Sequence, residues 1–297
     1  MPEDRTRAAA AAAERLTGRA VSDPRPMPGG DGGSALTRVR LADGGAAVVK
    51  RGQAPRAVPA EAAGLRWLAE AGAPTPAVLG ADEEWLVIEA VPEGSAGPAE
   101  AEELGRRLAR THAAGAPAFG SPPPGGPADA WIGRAPMRNR EGRDWPAWYA
   151  EHRLLPYLRT AVDRGSIEPG AEAGAIEEVC SRLPRLAGPP EPPARLHGDL
   201  WSGNVLWAGA ASGDARLIDP AAHGGHRETD LAMLRLFGCP QLDRILTAYQ
   251  EETPLADGWA ERVPLHQLFP LLVHAALFGG GYGGQAVAAA RTALARG

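Results

Sequence analysis

Asp199, Asn204 and Asp219 are the residues on which chemistry could turn. Asp199 lies in Leu196-His197-Gly198-Asp199-Leu200-Trp201-Ser202-Gly203-Asn204, and Asp219 closes the apolar run Leu217-Ile218-Asp219-Pro220. Phosphoryl transfer needs a carboxylate at the attacking hydroxyl and oxygen ligands for the magnesium that bridges the nucleotide phosphates. A carboxylate followed five positions later by a carboxamide, with a second carboxylate ending an apolar run, supplies that set. On this reading Asp199 is the base, Asn204 and Asp219 hold Mg2+, and ATP is the donor.

Two further features fit the same chemistry. Gly29, Gly30, Gly32 and Gly33 form a turn-prone run whose backbone amides could approach phosphate oxygens without side-chain obstruction. Taken alone, a glycine-rich hairpin turn in a chain with 38 glycines is more often a purely structural element. Lys50 ends a Val-Val strand just after that hairpin, where a lysine reaches nucleotide phosphates, and Glu61 on the next helical segment is placed to hold it. The alternative for this pair is a solvated surface contact.

The longer segments narrow the class. HGDLWSGNVLW, IDPAAHGGHRETDLAMLRLFG and the late LFGGGYGG resemble the fructosamine kinase (ketosamine-3-kinase) family, a branch of the protein-kinase-like fold beside the aminoglycoside and choline kinases, and the likeness runs from about Gly29 to about Gly284. The resemblance implies an α+β, bilobal fold with a small antiparallel-sheet N-lobe over residues 1–91 and a mainly helical C-lobe over 92–297. It implies a kinase acting on a sugar hydroxyl, the 3-hydroxyl of a fructosamine or ribulosamine, giving a labile phosphate that sheds the amine. Backbone groups near Glu89 and Val91 would hold adenine, and Trp201 would face the sugar of the acceptor. His197 would brace the catalytic loop. Asp230 would cap a helix and hydrogen-bond the loop backbone, and Trp145, Trp148 and Arg153 belong to the family's substrate-side helical segment. Family members that carry a cysteine in the glycine-rich loop have a redox control this chain should lack. An aminoglycoside or other small-alcohol kinase would share every catalytic residue; a nucleotide-binding pseudokinase would have no need of all five of Lys50, Glu61, Asp199, Asn204 and Asp219.

The elements that must position these residues are legible as patterns. Leu36 to Leu41 and Ala46 to Lys50 read as a hairpin, Ala60 to Leu68 as a helix, and Trp85 to Glu89 as a strand broken at Val91-Pro92, a natural hinge. Ala101 to Ala114, Trp145 to Ala161 and Ala173 to Leu186 have helical spacing, almost everything after Asp230 is helical, and Pro117 to Pro127 is a loop. The alanine-rich start reads as a surface helix rather than a signal, since charges flank it and it has no leucine-rich centre. With 297 residues, 44% hydrophobic content, a net charge of -5 and no basic cluster, the chain suits a two-lobed protein with a small-molecule partner rather than nucleic acid. No stretch approaches the roughly 20 apolar residues of a membrane span. Cys180 and Cys239 read as buried free thiols of a cytoplasmic protein, His223, His226 and His274 lack zinc spacing, and a monomer is the favoured state.

Overall fold

The computed structural model describes residues 2–28, 36–208 and 215–296. The N-terminal part is a five-stranded antiparallel sheet in the order β1-β2-β3-β5-β4, from β1 (Val21–Met27), β2 (Leu36–Leu41), β3 (Ala46–Arg51), β4 (Val78–Ala81) and β5 (Trp85–Glu89). Because side chains alternate along a strand, β3 and β5 each serve two cores. Ala47, Val49, Trp85 and Val87 face α1 (Pro2–Thr17), which buries Ala9, Ala12 and Ala13 against them. Leu86, Ile88 and Val48 face α2 (Ala57–Glu70) and its Val58, Ala62 and Leu65. The alanine-rich helix is therefore half of a core rather than only a surface element. The alternation also decides where Lys50 goes: two residues after Val48, it projects toward α2 and meets Glu61.

The remainder is mainly helical. α3 (Pro98–Ala113) and α8 (Leu242–Glu252) pack around Leu104, Leu108, Ile245 and Tyr249. A larger core joins α6 (Ala171–Leu186), α9 (Trp259–Phe278) and α10 (Tyr282–Arg296) through Ile176, Leu183, Phe269, Leu272 and Val287. Trp145 to Ala161 is not one regular helix: α4 (Trp145–Tyr149) passes through a π turn (Ala150–Leu154) into α5 (Leu155–Asp163), and the turn aims Arg153 inward. α7 (Arg227–Leu236) begins before Asp230. Its N-cap is His226, whose ring nitrogen accepts from the Glu228 amide, so Asp230 sits in the first turn and is not the cap.

Short strands frame the region between Leu196 and His223. β8 (Ala194–Leu196) pairs with β11 (His223–Gly225), and β9 (Val205–Trp207) with β10 (Ala215–Leu217). A hairpin that the sequence reading did not mark, β6 (Asp129–Ile132) and β7 (Ala135–Arg138), turns at Gly133-Arg134. Among the described residues no helix is long and apolar enough to cross a membrane. Cys180 and Cys239 are free and half-buried, and burial pushes both thiols up to about 11.

Candidate active site

The site begins with one cation between two carboxylates. Lys50 Nζ is 2.9 Å from Glu61 Oε2 and 2.9 Å from Asp219 Oδ1. Burial works against the ammonium charge, but the two carboxylates overcome it and hold the Lys50 pKa above its usual value. The Glu61 carboxyl is pushed up to about 7, chiefly by burial and against the pull of Lys50, with Asp219 adding to the rise. The contact from Lys50 to Asp219 spans 169 residues and has no local sequence signal. Asp219 itself has φ 53, a left-handed backbone that a non-glycine residue rarely adopts.

The loop carrying Asp199 is held from behind. Asp230, buried at the start of α7, accepts from the His197 amide at 2.7 Å and the Gly198 amide at 2.9 Å, and its Oδ2 lies 3.2 Å from His112 Nε2. Burial alone would raise the Asp230 carboxyl; His112, then His197 and the Gly198 amide, hold it below its usual value. His112 is a support the sequence reading missed, and Tyr249 OH fixes its other ring nitrogen at 2.9 Å. His197 spans the loop as expected of a brace: Nε2 is 3.0 Å from the Ile218 carbonyl while Nδ1 accepts from the Asp199 amide at 3.3 Å, which puts the proton on Nε2. Gly198, at φ 82, lies so close to the Ala221 carbonyl that a Cβ would collide with it.

Asn204 closes the loop. Its side-chain Nδ2 donates to the Asp199 carbonyl at 2.8 Å and to Asp199 Oδ2 at 3.1 Å, and its main-chain carbonyl accepts from the Ile218 amide at 3.1 Å. The carboxamide oxygen of Asn204 and the second oxygen of Asp219 are therefore the atoms left for a cation. These are hard oxygen donors on adjoining segments, and the set fits magnesium.

Two cavities adjoin Asp199. A cleft of ≈ 380 Å³ is lined by Lys50, Glu61, Asp199, Asp219, Trp131 and Arg134 among others. A smaller one, ≈ 60 Å³, is bounded by Asp199, Trp201, Arg134, His274 and Phe278. Trp201 is half-buried, with its ring over Gly203, where a Cβ would strike it, and its edge toward Phe237 at 6.1 Å. The exposed large hydrophobic residues of the described chain, Phe237 at 36% and Phe278 at 57%, both belong to this aromatic group, with His274 and Tyr282 between them.

The other expected residues fall in several places. Glu89 is exposed at the end of β5; its amide donates to Ala77 O at 2.9 Å and its carboxylate accepts from the Ala77 amide at 3.4 Å. The Val91 amide and carbonyl make no backbone hydrogen bond among the described residues. Gly29, Gly30, Gly32 and Gly33 lie outside the described residues. Trp145, Trp148 and Arg153 are buried in the large core, where Arg153 donates to Asn139 Oδ1 at 2.8 Å and lies over the Trp148 ring at 4.5 Å. The fold also gathers His226, Glu228 and His266, which sequence spacing did not connect. Both oxygens of that carboxylate are engaged by the Arg262 fork, so a cation already stands there.

A small antiparallel sheet joined to a helical body, with its lysine and carboxylates in the intervening cleft and the carboxamide hydrogen-bonded behind one of them, is the protein-kinase-like fold. A macrolide 2'-phosphotransferase of Brachybacterium faecium shares that fold at a TM-score of 0.60 and 18% identity, covering 95% of this chain and 97% of its own. The family model for fructosamine kinase matches residues 9–296, and the chain belongs to the fructosamine kinase family. The match reaches beyond the Gly29 to Gly284 span of the motif resemblance at both ends. A Thermobifida fusca protein assigned as a fructosamine-3-kinase, solved as a crystal structure, is 50% identical with a TM-score of 0.89, over 96% of this chain and 98% of that one. A probable ketoamine kinase of Thermus thermophilus is 37% identical over 261 residues, 86% of this chain and 88% of the relative.

Proposed function

We propose that the protein is an ATP-dependent ketosamine kinase that phosphorylates a sugar hydroxyl, the 3-hydroxyl of a fructosamine or ribulosamine. The observation that carries this reading is that Asp199 borders both the cleft holding Lys50 and Asp219 and the small cavity walled by Trp201. Family membership and the names of the relatives support the acceptor class. The rival acceptor, a polycationic aminoglycoside, calls for acidic walls; in the small cavity the one acidic lining residue is Asp199, and Arg134 opposes it.

In this reading Asp199 orients the hydroxyl and takes its proton as the oxygen attacks phosphorus. The Asn204 amide hydrogen bond fixes the Asp199 carboxylate for that task. Lys50, set by Glu61, pairs with the α and β phosphates, and the Val91 backbone with that near Glu89 meets adenine. Asn204 and Asp219 hold Mg2+, which supplies charge neutralisation at the phosphate oxygens. The glycines at 29, 30, 32 and 33 cover the phosphates. The division that serves this scheme falls between Val91 and Pro92, with 1–91 on the nucleotide side and 92–297 on the acceptor side. The product 3-phosphate then sheds its amine, so the outcome is deglycation of a small glycated amine.

The experiment is an ADP-release screen over fructosamines, ribulosamines, erythrulosamines and aminoglycosides, with product position read by NMR. Turnover confined to ketosamines with phosphate on O3 is expected; turnover only with aminoglycosides replaces the reading with its rival.

A further inference from the structure

The two cavities beside Asp199 have three lining residues in common: Gly133, Arg134 and Asp199. A phosphoryl group moving from a nucleotide in the cleft to a hydroxyl at Asp199 must cross where they meet. Arg134 stands at that junction by construction. Its turn joins strands paired from Asp129↔Arg138 to Ile132↔Ala135, and Gly133 takes φ 53 to make the turn. The hairpin is anchored through both strands at one rung: Trp131 Nε1 donates to the Pro55 carbonyl at 3.0 Å, and Tyr157 OH to the carbonyl of Pro136, the residue opposite Trp131, at 2.8 Å. Ile132 and Met137 are buried beneath it.

Among the described residues, the charge at this point is uncommitted. Lys50 is held between two carboxylates, and Arg51, the third cation of the cleft lining, pairs with Glu84. The Arg134 guanidinium has no ion pair or hydrogen bond among the described residues. A guanidinium offers a planar fork that matches phosphate oxygens, and positive charge at the equatorial oxygens is worth most while the phosphoryl group is in transit.

We propose that Arg134 is a catalytic residue of the transfer step, contacting the γ-phosphoryl group as it passes to the acceptor. The bond between the γ-phosphorus and the β,γ-bridging oxygen breaks, and its electron pair leaves on ADP. The acceptor oxygen forms the new bond to phosphorus, and its proton goes to Asp199. Arg134 gives up no proton; it donates hydrogen bonds to the transferring oxygens. The inference rests on the kinase reading above.

Arg134→Ala and Arg134→Lys test it, through steady-state kinetics and through binding of Mg-ADP with and without aluminium fluoride, a mimic of the group in transit. The acceptors are a fructosamine of a neutral amine and one of glycine. For Arg134→Ala we expect kcat to fall about 10²–10³-fold, the loss typical of one charge-stabilising donor, with both KM values and the melting temperature nearly unchanged. The affinity gained from aluminium fluoride should fall with it, and lysine, which keeps charge without the fork, should restore part of both. A raised acceptor KM confined to the glycine derivative, with kcat intact, would make Arg134 a carboxylate recogniser and overturn the proposal. Unchanged kcat and unchanged aluminium fluoride affinity overturn it as well. Because the binding measurement needs no acceptor, it decides on Arg134 even if no ketosamine is turned over, an outcome that instead removes the substrate reading.

Discussion

At the scale of single residues, the two site carboxylates should fail differently. Asp199→Asn cannot take a proton, and turnover should drop about 10²–10⁴-fold while ATP affinity stays close to wild type. Asp219→Ala removes a charged oxygen and releases Lys50, so calorimetric titration of Mg-ATP should show weaker binding as well as lost turnover. Trp201 is half-buried over Gly203, not core, so Trp201→Ala should raise the acceptor KM and spare that for ATP, costing about 1–3 kcal/mol in kcat/KM with little change in melting temperature. A large melting loss with an unchanged acceptor KM would return Trp201 to the core. That Asp199, Asn204 and Asp219 come together could be read in the sequence because their spacing is local. Arg134 could not: what distinguishes it is a position between two cavities, and its only local trace is the short Ile132-Gly133-Arg134-Ala135 turn.

At the scale of elements, α7 carries the acid sensitivity of the fold. Burial would raise the Glu228 carboxyl, but the His266 ring and the Arg262 fork more than offset it and hold it at about 2; Asp230 is likewise held low. A carboxylate depressed in the folded state stabilises above its unfolded pKa and loses that contribution as pH falls through the folded value. Stability measured by urea unfolding should therefore decline from about pH 4.5 toward pH 2, with Glu228 alone accounting for about 3 kcal/mol. Glu228→Gln should flatten that part of the curve; an equally steep decline in the variant would show that other groups carry it. The π turn makes a second case. Burial depresses the Arg153 guanidinium to about 10, and aromatic faces and neutral oxygens surround it. Arg153→Ala should cost about 3 kcal/mol or more, whereas Arg153→Met, which fills the space without a buried charge, should lose less. Chemical denaturation of both variants compares them. Helical spacing revealed the segments around Arg153 but not the register slip that turns it inward, because the slip depends on what α5 packs against. β1 escaped notice for a related reason: Pro24 and Pro26 argue against a strand, and only an edge position tolerates them.

At the scale of the molecule, the sheet is stable because helices cover both faces. The outer cover is α1, whose Ala9, Ala12, Ala13 and Leu16 meet Val39, Leu41, Val49 and Val87. Removing residues 1–17 should cost on the order of 4 kcal/mol as an upper bound and lower the soluble yield, as light scattering and a melting curve would record. An unchanged melt would mean that the sheet holds without this cover. The bilobal plan was visible in the order of hairpin, helix, strand, break and helices. What the order could not convey is how tightly the lobes share the site, since Lys50 on the sheet is paired to Asp219 on the far side of the cleft.

That Asp219 sits in a left-handed turn immediately before Pro220 bears on how the molecule behaves in time. Proline pushes the residue ahead of it toward extended backbone, so Asp219 keeps its left-handed conformation against that preference, with its carboxylate paired to Lys50. A carboxylate held in this way is already beside Lys50 before any nucleotide arrives. If that placement is the working one, no rearrangement of Asp219 precedes turnover, and rapid mixing of the protein with ATP and acceptor should show product accumulating without a lag; a lag would point to a slow rearrangement at the site.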